Sequence, residues 1–384
     1  RPVSIRVLQF SSQAASAAAA ASAAPGSHSP VLADAVTELL VGACQGTRRP
    51  GSRILLLDAT FGAGGHTRRL LRGASEASTP ITVYANDRDP AAYRLAGQLS
   101  ESLPPGSDSA SVVPLLGKFS QLAEHAELTG VEGIDGALFD LGLCSAQLDE
   151  ARRGFALSAD GPLDMRMGGP AEADSPTAAD LVNGLETGDL AALFRAYGEE
   201  PMARRLARAV VERRSGPRGP LRTTKQLADC LADAVGSARR KDSLGRSAHP
   251  ATRVFQALRI AVNNEFIELL SGLQLARQLL KPGAPCLVLS FHSLEDRLVK
   301  RVFANRSLDD LCCPAAWADA FKRQRSPQSL HAEPPPPPPP PQPQLWQLMR
   351  FDSNRGEDYL MAGPAEVAEN PRARSARLRV GLKL

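Results

Sequence analysis

Three acids close apolar runs in the first 140 residues: Asp58 after RILLL, Asp87 after ITVYAN and Asp140 after IDGALF. Behind the first comes Ala59-Thr60-Phe61-Gly62-Ala63-Gly64-Gly65-His66. Glycines at such a place permit a tight turn and let the backbone approach a ligand at a helix N-terminus. A nicotinamide-type G-x-G-x-x-G would need a glycine where this chain has Thr67. Asp87 lies 25 residues after Gly62, a position from which a carboxylate accepts hydrogen bonds from both hydroxyls of a ribose. Its plain alternative is a solvated strand-end aspartate. Phe119, in GKFSQL, could pack on a base or belong to the core. Asp140 opens the loop Asp140-Leu141-Gly142-Leu143-Cys144-Ser145-Ala146-Gln147-Leu148-Asp149, whose small residues, acid and amide suit the seat of a reacting group. His292, close to Glu295 and Asp296, could act as a base or metal ligand. Capping of a strand-end loop is the preferred reading for it, and no metal site is assigned.

The elements that must hold these residues follow from periodicity. RILLLD, ITVYAND, SVVPLL, IDGALFD (Ile134 to Asp140) and PCLVLSFHS (Pro285 to Ser293) are short apolar runs suited to strands buried on both faces. HTRRLLRG and PAAYRLAGQL read as the helices between them, the second with proline in its first turn. Residues from about 151 to 250 are helical in pattern and rich in arginine. HPATRVFQALRIAVNNEFIELLSGLQLARQLLKPG reads as one long amphipathic helix ended by Pro282-Gly283. LEDRLVKRVFA is a further helix, and SARLRVGLKL alternates as a closing strand. The prediction is an α/β fold: a doubly wound, mostly parallel Rossmann-like sheet with a helical insertion domain. In such a sheet the carboxyl ends of the first and fourth strands flank the ligand crevice.

Composition narrows the class. The chain has 384 residues, 43% of them hydrophobic, enough for a large core and for two domains. No stretch approaches the run of about eighteen apolar residues that a transmembrane helix needs, so no membrane partner is expected. Cys44, Cys144, Cys230, Cys286, Cys312 and Cys313 are scattered without a C-x-x-C pair, which points to a reducing compartment rather than a disulfide framework. The net charge is only +4, yet Arg195 to Arg259 carries 15 Lys/Arg against 6 Asp/Glu. Pro371 to Leu384 adds five basic residues and no acid. Such segregation suits a polyanionic partner, or else a solvated arginine-rich helix face. Two segments stand outside the fold. The first 27 residues are basic, rich in serine and alanine and free of acids, the composition of an organellar transit peptide or of a disordered tail. EPPPPPPPPQPQ, from Glu333 to Gln344, reads as a polyproline loop insertion or a docking segment.

The glycine turn, with an acid four places before its first glycine, resembles motif I of the S-adenosylmethionine-dependent methyltransferases. DATFGAGGHT, NDRDP, FDLGLCSAQLD, RRGFALSADGPLDMRM, YGEE, HPATRVFQALRIAVNNE, LVLSFHSLEDRLVK and AENPRARSARLR together resemble the RsmH (MraW) family of rRNA cytosine-N4 methyltransferases. The resemblance runs from about His28 to Arg379, and the transit-like leader is similar to the mitochondrial, methyltransferase-like branch. It implies S-adenosyl-L-methionine as cofactor, small-subunit rRNA or a pre-ribosomal particle as partner, and a mitochondrial matrix location. The family's cofactor contacts fall on Gly64, Gly65, His66, Asp87, Phe119, Asp140 and Gln147. The family's fourth-strand loop, D-L-G-V-S-S-P-Q-L-D, is here altered at Leu143, Cys144 and Ala146.

The implied organisation is a leader at 1–27, the first part of the methyltransferase domain at 28–150, an RNA-binding helical insertion at 151–250, and the second part at 251–384 with the polyproline loop at 334–343. Arg204, Arg205, Arg208, Arg213 and Arg214 are its expected RNA platform. Asp140 is the candidate catalytic group, holding the hydrogens of the weakly nucleophilic cytosine amine, or is a cofactor contact alone. An rRNA-binding assembly factor with little turnover is the competing reading.

Overall fold

The computed structural model describes residues 30–42, 52–104, 108–236, 249, 251–308, 345–351 and 357–384. The leader at 1–27 and the polyproline segment fall outside the described residues. The chain divides into two compact units: Arg1–Gly142 with Glu268–Asp310 and Pro341–Leu384, and Leu143–Ile267 with Leu311–Pro340.

The first unit is built on one sheet. Its strands are β1 (Ile54–Asp58), β2 (Ile81–Asp87), β3 (Ala110–Leu116), β4 (Gly136–Asp140), β5 (Pro285–Ser290), β6 (Trp346–Leu348), β7 (Leu360–Met361) and β8 (Arg377–Lys383). They run in the order β3-β2-β1-β4-β5-β8-β6, with β7 also paired to β8. The first five are parallel to one another, while β8 is antiparallel to β5, β6 and β7. Chain order reverses between β1 and β4, which makes their carboxyl ends the switch point of the sheet.

The central apolar runs are strands that are buried on both faces, as β1, β4 and β5 are over most of their length. β2 is buried along its whole length up to Asp87. Pro114, which cannot donate to a ladder, sits in β3 at the end of the order, where such a residue is tolerated. One core joins Leu39, Leu40 and Val41 to Leu56, Val83, Leu138, Leu289 and Leu378. A smaller cluster packs Phe61 with Ala92, Ala96 and Val112. The closing strand is tied in by charge. Arg379, fully buried, donates to both carboxylate oxygens of Asp296 at 2.6 and 3.1 Å and to Asp358 at 2.7 Å.

The second unit is helical: Ala178–Gly184, Thr187–Gly198, Ala203–Ser215, Thr224–Val235 and Thr252–Asn263. Two of these helices begin with reciprocal capping boxes, Thr177 with Asp180 and Thr223 with Gln226. Gly198 permits the Thr187–Gly198 helix to approach its neighbour, since a Cβ there would lie 2.5 Å from the Arg253 carbonyl oxygen. The long helix predicted from HPATRV to LKPG is in fact two, Thr252–Asn263 and Glu265–Leu279. Asn264 separates them with a left-handed backbone, φ 51°. The cause is Asn263, whose buried amide donates to the Met165 carbonyl at 2.7 Å and accepts from Met167 N–H at 2.8 Å.

Candidate active site

The turn after β1 is organised by a buried carboxylate. Asp58 accepts from the Thr67 hydroxyl at 2.6 Å and from Thr60 N–H at 3.2 Å. Burial raises its pKa, ahead of the lowering from those bonds. The turn passes through Gly62 and Gly64 with φ of 54° and 76°. Gly64 is required twice over: its φ is positive, and a Cβ would sit 2.5 Å from the Phe61 ring. Helix Gly65–Glu76 then starts with no side-chain cap and no acid in its first turn, leaving the positive end of its dipole toward the turn.

At the end of β2, Asp87 accepts from Gly62 N–H at 2.7 Å on one oxygen and from Asp89 N–H at 2.9 Å on the other. A carboxylate has about four acceptor sites, so both oxygens keep capacity for further donors. Burial pushes this carboxyl up to about 6 despite the two backbone bonds. Its neighbour Asn86 is fully buried and donates to the carbonyls of Ala59 and Gly117, at 3.2 Å each. One amide thus fixes the turns after β1 and β3 against each other. Phe119 follows β3, half-exposed, edge-on to Phe139 with ring centroids 5.2 Å apart. Its back is pressed against Gly272, where a Cβ would come within 2.9 Å of Phe119 Cβ.

Asp140 ends β4, its N–H donating to the Thr60 hydroxyl at 2.6 Å. The structure places His66 Nε2 3.4 Å from Asp140 Oδ2, a charge contact at the long end of hydrogen-bonding distance. Both ring nitrogens and Asp140 Oδ1 are buried with no hydrogen-bond partner among the described residues, as is Asn86 Oδ1. Burial alone would lower the His66 pKa, but the bond and charge of Asp140, with Asp58 behind it, leave it raised. Orphaned buried polar atoms in a native fold call for a partner, here a ligand or water.

Gln147 lies in the second unit, on the short helix Ser145–Asp149. Its amide accepts from Cys144 N–H at 3.2 Å and donates to the Met167 carbonyl at 3.3 Å, so it orders its own loop. The sequence RRGFALSADGPLDMRM around it is equally constrained. Asp164 and Arg166 form a two-pronged pair at 2.7 and 2.8 Å, and a Cβ on Gly154 would lie 2.1 Å from the Pro162 carbonyl oxygen. Of the five arginines expected to meet RNA, Arg204, Arg205 and Arg208 are exposed. Arg213 and Arg214 instead donate to the carbonyls of Gly219 and Val182, at 2.7 Å each. His292 caps helix Ser293–Phe303, accepting from Glu295 N–H at 3.4 Å.

The structure therefore gathers Gly64, Gly65, His66, Asp87, Phe119 and Asp140 at the carboxyl edge of one sheet. Thr60, Thr67 and Asn86 join Asp58 in organising that edge, and the sequence reading does not single these three out. Hydroxyls flanking a glycine turn were the available signal for the two threonines. No helix among the described residues is long and apolar enough to cross a membrane.

Comparison with known proteins returns a match to the MraW methylase family over residues 26–330. The human 12S rRNA N(4)-cytidine methyltransferase METTL15 is 41% identical over 362 residues, covering 93% of this chain and 83% of the human protein. Ribosomal RNA small subunit methyltransferase H of Methylorubrum populi is 41% identical over 359 residues, covering 94% of this chain and 88% of the bacterial one. The probable methyltransferase-like protein 15 homolog of Drosophila melanogaster is likewise 41% identical, over 358 residues, with 93% and 92% covered.

Proposed function

The chain belongs to the MraW methylase family, and from that premise we propose that it transfers a methyl group from S-adenosyl-L-methionine to N4 of a cytidine in small-subunit rRNA. The observation that carries the reading is the edge where Asp87, Asp140 and His66 meet the glycine turn. Spare acceptor capacity on Asp87 fits a ribose diol, and the orphaned Nδ1 of His66 fits the charged amino-acid head of the cofactor. Gly64 and Gly65 bring backbone and helix N-terminus to the same place, and Phe119 offers a half-exposed ring for the adenine. Gln147 contributes by ordering the loop after β4.

When bound, S-adenosylmethionine supplies a methyl group already activated as an electrophile. The chain has to align the amine and dispose of one proton. Cytosine N4 shares its lone pair with the ring, so an acceptor that holds its hydrogens favours the more tetrahedral, more nucleophilic nitrogen. Asp140 is that acceptor. His66, held 3.4 Å from its Oδ2, orients the carboxylate and leaves Oδ1 for the amine. Oriented, pre-placed groups of this kind supply the acceleration without covalent catalysis.

The substrate reaches this edge as part of the rRNA or of a pre-ribosomal particle, with the exposed arginines of the second unit on its phosphates. The acid-free leader and the similarity to a 12S rRNA enzyme support a mitochondrial matrix location.

The test is transfer of labelled methyl to small-subunit rRNA, with nucleoside mass spectrometry, for wild type and Asp140→Asn. Wild type should yield N4-methylcytidine. At saturating cofactor the variant should lose about 10²-fold or more in turnover, the usual range for a positioned proton acceptor, while cofactor affinity measured by calorimetry falls far less. Unchanged turnover in the variant removes the proton role from Asp140. No product from wild type on naked rRNA or on isolated small subunits, with RNA binding intact, makes the protein an assembly factor instead.

A further inference from the structure

The sheet register carries a second group of cations to the edge where Asp140 stands. Asp140 of β4 is opposite Leu289 of β5, and Leu289 is opposite Leu378 of β8. These three residues form one row across about 10 Å, two strand spacings. Because β8 runs antiparallel, the residues before Leu378 lie beyond that row, on the carboxyl side of β5. Arg377 is opposite Ser290, the last residue of β5. The turn Pro371–Ser375 comes immediately before.

That turn is capped at its start and anchored by two buried alanines. Asn370 accepts from Arg372 N–H at 3.1 Å, and Ala373 and Ala376 are fully buried in the core. Arg372 and Arg374, alternating with them, are exposed. Arg377 is 40% exposed, paired with Asp296 at 2.6 Å and seated over the Tyr359 ring at 4.9 Å. The acids nearby are mostly engaged. Asp296 and Asp358 hold Arg377, Arg379 and Lys300, and Glu366 accepts from Leu32 N–H. Glu369 is exposed one residue before Asn370, and no acid follows it to the end of the sequence.

We propose that Arg372, Arg374 and Arg377 form a phosphate-binding edge of the catalytic unit, gripping the rRNA backbone close to the methylated cytidine. The inference rests on the function proposed above. Planar guanidinium forks match phosphate oxygens, and a turn anchored through Ala373 and Ala376 lowers the entropy lost on binding. A polyanion is the fitting partner because the edge is also where the nucleotide must arrive. Contacts here position the substrate and carry no base preference.

The experiment uses the full chain with Arg372→Ala/Arg374→Ala and a single-stranded fragment of small-subunit rRNA. Binding is read by fluorescence anisotropy across a salt series. Two lost phosphate contacts should make the slope of log K against log salt shallower by about 1.4, at about 0.7 per contact on single strands. The RNA KM in methyl transfer should rise about tenfold or more, with kcat and cofactor affinity kept. Arg372→Lys/Arg374→Lys, which retains both charges, should recover the wild-type slope. Arg72→Ala, an exposed site in the third turn of helix Gly65–Glu76, should change nothing. A slope and KM equal to wild type overturn the proposal, as does an equal loss in Arg72→Ala, which would mean diffuse attraction. Loss of binding to anionic vesicles or acidic peptides with RNA affinity intact also overturns it. Failure of the underlying function is seen separately, as absence of N4-methylcytidine from wild type.

Discussion

Asp87 is held by two backbone donors and still titrates near 6, because burial outweighs them. Its folded pKa thus exceeds its ordinary value of 3.8, so the folded chain binds this proton more tightly than the unfolded one. The sign follows from linkage: this group favours folding below pH 3.8 and loses that contribution as pH rises through about 6. An ionised Asp87 is costly in the free protein, and ribose hydroxyls donating to it offset part of that cost. Cofactor affinity should therefore depend on pH. With a free-state pKa near 6 and an ionised carboxylate in the complex, Kd at pH 5 should be about tenfold weaker than at pH 7. Asp87→Asn should bind weakly at both values and lack this dependence. Calorimetric titration of both proteins at the two pH values checks it, and a wild-type Kd flat between them removes Asp87 from cofactor binding.

At the scale of elements, the break at Asn264 shows what periodicity reads and what it misses. The sequence from Thr252 to Leu279 keeps a helical pattern of apolar residues with no Gly or Pro near the junction, and so it resembles one helix. What interrupts it is a distant loop: Met165 and Met167 bond to Asn263 across 98 and 96 residues. The left-handed residue that follows is tolerated because Asn pays little for positive φ. Asn264→Gly should then leave stability within a few tenths of a kcal/mol, whereas Asn264→Val should cost about 1–2 kcal/mol. Thermal unfolding of the two variants reads this directly, and equal midpoints would mean the break is held from elsewhere.

The same division runs through the fold. RILLLD, ITVYAND and PCLVLS were legible as strands, since local apolarity suffices to bury them, and the terminal SARLRV alternation was legible as β8. The tie of Arg379 to Asp296 was not, because it joins residues 83 apart and neither type reveals its partner. At the site, Asp58, Asp87 and Asp140 were visible as strand ends. The approach of His66 to Asp140 depends on β1 and β4 being neighbours, which only the switch in chain order creates.

For the whole molecule, charge and structure divide the arginines of the second unit into two kinds. The segment Arg195–Arg259 carries 15 of the 45 basic residues, and composition alone treats them as equivalent. The structure does not. Arg213 and Arg214 bond to the carbonyls of Gly219 and Val182, bracing a loop and a neighbouring helix within the helical unit, and burial lowers the Arg214 pKa. Arg204, Arg205 and Arg208 are exposed on successive turns of helix Ala203–Ser215 and can exchange counterions for phosphates. Two opposite phenotypes are expected. Arg204→Ala/Arg205→Ala/Arg208→Ala should lower the salt slope of binding to single-stranded rRNA by about 2, at about 0.7 for each contact, with its thermal midpoint unchanged. Arg213→Ala/Arg214→Ala should unfold at a lower temperature, because two carbonyls lose charged donors, while keeping the wild-type slope. Anisotropy over a salt series and calorimetric unfolding, run on both variants, separate the two roles. If the braced pair carries the slope and the exposed trio does not, RNA meets a different face of this unit and the helix Ala203–Ser215 is solvated surface.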